Sequence, residues 1–132
     1  MIVDSSAIVA MLREEPEVDA MIAALTDADT VVMSAANYLE AAIVIDGERN
    51  PVMSAKLDLL LKRFAVEIAP VTASQAKLAR QAYRDFGRGS GHPAKLNFGD
   101  CFAYALAMES GEALLYKGDD FAHAGLARVG TQ

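Results

Sequence analysis

Apolar positions alternate along the chain between short unbroken runs and longer stripes at helical spacing. Met1–Val3 is a β-capable run halted by Asp4, and Ser5–Glu14 follows with helical periodicity. Pro16 fits the first turn of a second helix, which runs towards Ala28 with Val18, Met21, Ile22 and Leu25 on one face. Thr30–Met33 reads as a second strand, and Ser34 caps a long helix ending near Gly47. Pro51–Ala65 is a further helix, carrying Leu57, Leu60, Leu61 and Phe64, and Val66–Val71 is a third strand. Thr72 and Gln75 have the spacing of a capping box, opening a helix that stops near Gly87. Arg88–Leu96 is a basic loop punctuated by Gly and Pro, followed by a helix over Asn97–Ser110. Ala113–Tyr116 is a fourth strand and Leu126–Val129 a short fifth.

Strands alternating with helices predict an α/β fold whose mainly parallel sheet is buried on both faces. At 132 residues, with no internal repeat or linker, residues 1–132 form one domain, and 53% apolar residues suffice for a core. One Cys excludes an internal disulfide, and no Cys/His spacing suits zinc, so a reducing cytoplasm is the expected compartment. The opening MIVDSSAIVAML lacks the basic start of a signal peptide, and no uncharged run reaches membrane-spanning length. Acids outnumber bases 18 to 12, for a net charge of −6. That balance argues against a protein that coats nucleic acid or membranes non-specifically.

The placement of the acids changes the picture. Asp4 is the only charged residue in Met1–Leu12, Glu40 the only one in Met33–Ile45, and Asp100 the only one in Leu96–Met108. An ionised carboxylate in apolar surroundings is strongly disfavoured unless it is paired or binds a cation. The nearest bases are too few to neutralise these three, whereas a metal ion would. Asp4 follows the first strand, and Asp119 and Asp120 follow the fourth, at the strand ends where open α/β sheets build sites. All-oxygen ligands favour Mg²⁺ or Mn²⁺ over zinc. Ordinary readings stand beside this one. Asp4 can cap the helix after it, Asp100 can cap its own with Asn97 competing, and Asp119 and Asp120 suit a turn. Glu40, mid-helix, has no such alternative.

Four segments together resemble the PIN-domain ribonucleases, specifically the VapC-like toxins of toxin–antitoxin pairs. They are Ile2-Val-Asp-Ser-Ser-Ala7, Tyr38-Leu-Glu40, Asn97-Phe-Gly-Asp-Cys-Phe-Ala-Tyr-Ala105 and Leu114-Leu-Tyr-Lys-Gly-Asp-Asp-Phe121. The resemblance implies a three-layer α/β/α sandwich with about five short strands. It also implies a Mg²⁺- or Mn²⁺-dependent endoribonuclease. Asp4, Glu40 and Asp100 match the family's acidic triad, Asp120 (with Asp119 as substitute) its fourth acid, and Ser6 the hydroxyl that orders the metal site. A VapB-like antitoxin and a homodimer are the implied partners.

RNA binding by an acidic chain needs local bases. Arg80, Arg84 and Arg88 repeat along one helix face leading to Lys95, and could track phosphates or form an ordinary solvated face. Lys117, beside the fourth acid, is a further candidate. His92 and His123 are expected at the surface, and Cys101 as a buried structural thiol. The leucine-rich helix Pro51–Ala65 suggests a dimer or antitoxin contact. Three rivals remain: a receiver domain, a phosphatase and an inactive PIN-like binding module. A receiver needs an acceptor Asp after the third strand, where Ile68-Ala-Pro-Val71 has none. A HAD-like phosphatase needs a second Asp where Ser6 stands, and decay of the site sits poorly with three isolated acids.

Overall fold

Ile2 and Val3 point to opposite faces of a sheet and both are buried, which sets the layering of the molecule. The structure, a computed structural model, describes residues 1–125. Strand β1 (Ile2–Val3) pairs in parallel with β2 (Val32–Ser34) on one side and β4 (Leu114–Leu115) on the other. Strand β3 (Glu67–Ala69) extends the sheet beyond β2, so the order is β3-β2-β1-β4. Val3, Met33 and Leu115 face a core closed by helices α1 (Ser5–Leu12), α2 (Val18–Asp27), α3 (Ala35–Asp46) and α4 (Pro51–Arg63). Ile2, Leu114 and Tyr116 face a second core under α5 (Ala73–Phe86) and α6 (Phe98–Ser110), which also buries Phe121 of the short α7 (Asp120–His123). The result is a three-layer α/β/α sandwich.

Several expected boundaries move for local reasons. Helix α1 stops at Leu12 because Arg13 leaves helical geometry and Glu14 takes a left-handed φ of 51°. Thr72 does cap α5 through Gln75 N–H at 3.2 Å, but Gln75 does not reach back. Its side chain instead donates to Glu109 on α6, also at 3.2 Å. The complete capping box is at α6, where Asn97 and Asp100 each accept the other's backbone N–H at 2.9 Å. The Arg88–Leu96 loop is pinned at its neck by Arg88 N–H to Leu96 O at 3.0 Å and Leu96 N–H to Phe86 O at 2.8 Å. Among the described residues the sheet has four strands; the fifth candidate, Leu126–Val129, lies outside them.

Chain order positions the site. From β1 the chain adds β2 and then β3 in one direction, and β4 returns to the vacant side of β1. The topology therefore switches between β1 and β4, and in open parallel sheets the crevice at the carboxyl ends beside that switch takes ligands. Helices α1, α3 and α7 begin at that edge. Helix α6, which leads into β4, runs antiparallel to the strands and so begins there too.

Candidate active site

Asp4 follows β1 directly and serves as N-cap of α1, its Oδ2 accepting the Ser6 N–H at 3.0 Å. The carboxyl is almost wholly buried, and its Oδ1 has no hydrogen-bond partner. Burial pushes its pKa up to about 7. Hydrogen bonds from the Ser6 hydroxyl and backbone work against that rise, while the charges of Asp100 and Glu40 add to it. Ser6 does two tasks at once: its Oγ also accepts the Lys117 N–H at 3.0 Å, tying the start of α1 to the loop after β4.

Glu40 is carried by α3, which Ser34 caps through the Ala36 N–H at 3.3 Å. Its Oε1 accepts a hydrogen bond from the Ser5 hydroxyl and another from Asn37 Nδ2 at 3.3 Å. Asn37 is fully buried, and the same Nδ2 donates to Gly99 O at 2.9 Å, clamping α3 to the start of α6. Gly99 leaves room for the Glu40 carboxylate: a Cβ on it would sit 2.6 Å from Glu40 Cδ and force that side chain to move. Ser5, Asn37 and Gly99 were not singled out from the sequence. Small polar residues and glycines on a helix leave no periodic mark, and only the Asn three residues before Glu40 offered a hint.

Asp100 is partly buried in the first turn of α6 and commits Oδ2 to the capping box. Its pKa is raised, first by burial and then by the negative charges of Asp120 and Glu40, with the Asn97 backbone hydrogen bond and, more weakly, Arg88 opposing. Thus the ordinary capping roles of Asp4 and Asp100 are both real, and neither satisfies the whole carboxylate. Asp120, the first residue of α7, faces Asp100 electrostatically; Asp119 is the residue before it and is exposed. Asp4, Glu40 and Asp100 therefore share one crevice, with Asp120 at its rim. Among the described residues, no three carboxylate, His or Cys side chains are gathered closely enough to grip one ion as they stand. Glu40 Oε1 is engaged by Ser5 and Asn37. The buried, unpartnered Asp4 Oδ1 beside two like charges nevertheless has the chemistry of a divalent-cation ligand.

The candidate basic residues separate. Arg88 and Lys95 line a hollow of about 670 Å³ together with His92 and Asp120. Arg84 is exposed on α5. The Lys117 ammonium is ion-paired with Glu15, so a phosphate contact there requires that pair to open. His92 departs from its expected surface position: it is half-buried, edge-on to Phe86 at 4.9 Å, and its Nδ1 accepts the Ala94 N–H at 3.1 Å. His123 is exposed on α7. Cys101 is buried as expected, its thiol donating to Asn97 O at 3.2 Å and pushed up to about pKa 11 mainly by burial.

Comparison with known proteins identifies the family and the fold. The family model described as PIN domain matches residues 1–126. Ribonuclease VapC28 of Mycobacterium tuberculosis is 56% identical over 129 residues, covering 98% of this chain and 97% of that one. Among solved structures, M. tuberculosis VapC20, titled a sarcin–ricin loop cleaving toxin, is similar with a TM-score of 0.73 at 18% identity, covering 97% of both chains. A toxin–antitoxin complex from Klebsiella pneumoniae is similar with a TM-score of 0.68 at 14% identity, covering 92% of this chain and 89% of that one. At those identities the two structures speak to the fold.

Proposed function

The chain belongs to the PIN-domain family, among the VapC ribonucleases, and from that premise we propose a Mg²⁺- or Mn²⁺-dependent endoribonuclease that is the toxin of a toxin–antitoxin pair. The observation that carries the metal dependence is Asp4: a buried carboxyl with an unpartnered oxygen, at the topological switch, facing Glu40 and Asp100. Asp4 and Asp100 are the residues to hold the ion directly, Glu40 through water, and Asp120 a second ion, with Asp119 its substitute. Bound there, a divalent cation supplies Lewis-acid stabilisation of phosphoryl oxygens and makes water more acidic.

The chain's own residues do the rest. Ser5 and Asn37 fix the Glu40 carboxylate, which is placed to orient the attacking water. Hydrolysis by that water leaves a 5′ phosphate and a 3′ hydroxyl and does not use the 2′ oxygen. Ser6 keeps Asp4 and the β4 loop in register. Arg88 and Lys95, across the hollow from Asp120, suit the RNA backbone, with Arg84 extending the path. His92 and His123 have no part in this chemistry.

Apolar side chains on α3 and α4 support a protein partner. Leu39 (57% exposed), Ile43 (62%), Val52 (63%) and Leu59 (64%) are left in solvent, a surface suited to a VapB-like antitoxin or a second copy. No described helix is long and apolar enough to cross a membrane. The cytoplasm, where RNA and a reduced Cys101 coexist, is the proposed compartment. The test is cleavage of defined RNAs by purified, antitoxin-free protein with Mg²⁺ or Mn²⁺. Wild type is expected to cut, and chelation, Asp4→Ala or Asp100→Asn to abolish cutting. Equal activity in all three proteins would overturn the assignment.

A further inference from the structure

Beside the acid crevice lies a second concavity of different character. A groove of about 580 Å³ opens between α5 and α6, within the ~300–1,000 Å³ of small-molecule sites. Ala79 and Phe102 line it, Phe98 and Tyr83 supply aromatic walls, and Arg80 and Arg88 add positive charge. No carboxylate lines it. Phe98 is 79% exposed, more than any other large apolar side chain among the described residues, and stands edge-on against Phe102 at 4.9 Å and 84°. An aromatic face held open in this way covers nothing in the fold.

The groove is continuous with the site. Asn97 lines it, and Asn97 is half of the capping box that holds Asp100. Gly99, the neighbour of Phe98, meets Glu40. Arg88 lines both the groove and the hollow that contains Asp120, and its charge reaches Asp100. The Tyr83 hydroxyl donates to Arg88 O at 3.1 Å, fixing the rim. A flat apolar slot with cationic edges, joined through Arg88 to a charged hollow, matches the two halves of a nucleotide. Bases stack on aromatic faces whatever their sequence, while the adjoining phosphate seeks the cation.

We propose that the groove between α5 and α6 is a base-stacking subsite: it takes one unpaired nucleobase of single-stranded RNA beside the scissile phosphodiester, with Phe98 as platform and Arg88 on the adjoining phosphate. The subsite rests on the ribonuclease reading above. It requires the RNA to be unpaired where it is cut, because a base inside a duplex cannot enter.

Phe98 is exposed enough that its truncation leaves the core intact. Phe98→Ala is expected to raise KM for a short single-stranded RNA about tenfold, with the effect on KM rather than kcat, and Phe98→Tyr to restore it. The chain has no Trp, so Phe98→Trp introduces a single reporter. In an Asp4→Asn background, where RNA survives, its fluorescence should be quenched by a base-bearing oligonucleotide and not by an abasic one of equal length. An unchanged KM in Phe98→Ala, or equal quenching by the two oligonucleotides, overturns the subsite. So does conversion of a dimer to a monomer by Phe98→Ala in light scattering, which would assign the groove to a second copy. Wild type cleaving no RNA would defeat the ribonuclease reading instead, leaving the oligonucleotide comparison to decide the subsite alone.

Discussion

Helix α6 carries an acid near each end, and the two have opposite fates. Asp100, at the start, sits partly buried against Asp120 and Glu40, and its pKa is raised. Glu109, near the end, is bonded by the Ser74 hydroxyl at 2.6 Å and by Gln75 Nε2 at 3.2 Å, and its pKa is lowered. Neutral donors that satisfy a carboxylate make it a fastener, here of α5 to α6. Burial among like charges makes it unsatisfied and available. The distinction between structural and functional acid therefore lies in what surrounds the group, since both belong to one helix.

The strongest test of the contrast is to neutralise the crevice. Asp4→Asn is expected to lower cleavage on the order of 10²–10³-fold while stabilising the metal-free fold by roughly 1–4 kcal/mol at neutral pH and above. The sign follows from the shift. The Asp4 carboxyl titrates near 3.8 when unfolded and at about 7 when folded. Between those values the folded state keeps a proton that the unfolded state has lost, so stability falls as pH rises through that window and levels off above it. Thermal melts of metal-free wild type should show that fall, and Asp4→Asn should flatten it. A divalent cation competes with the same proton, so its stabilisation should be larger above neutrality than in acid, and smaller in the variant. Stability that rises with pH and ignores metal would place Asp4 with Glu109 as an ordinary structural acid.

Gly99→Ala tests the crevice by geometry instead of charge. The added methyl displaces Glu40, and a misplacement of about 1 Å can cost about 10²-fold in rate. Retained kcat would show that Glu40 need not be held where Ser5 and Asn37 hold it. Glu109→Gln is the smallest expected effect: a slight loss of melting temperature with RNA cleavage unchanged. Its contribution has the opposite pH sign to that of Asp4, present above the unfolded value of 4.5 and lost as pH falls through the lower folded one. A large loss of activity would mean that α5–α6 packing reaches the site.

The isolation of Asp4, Glu40 and Asp100 was legible because one charge in an apolar run is conspicuous without any knowledge of the fold. The alternation of strands and helices was equally legible, since each element buries its own periodic face. What stayed hidden depends on contacts between distant segments. Gln75 satisfies the sequence pattern of a capping box and yet spends its side chain on Glu109, 34 residues away. Lys117 looks free beside the fourth acid and is taken by Glu15. Asn37 resembles any polar helical residue until Gly99 and Glu40 arrive around it.

The strand order also sets a schedule. Among the described strands β1 comes earliest in sequence and lies inside the sheet, yet one of its neighbours comes latest: Ile2 pairs with Leu114 and Val3 with Leu115. Asp4 receives its own backbone anchor from Leu115 O, at 2.9 Å. Asp4 lies far from β4 in sequence, and its seat is complete only when β4 has docked beside β1. Docking of β4 on β1 is therefore the contact that completes the seat of Asp4.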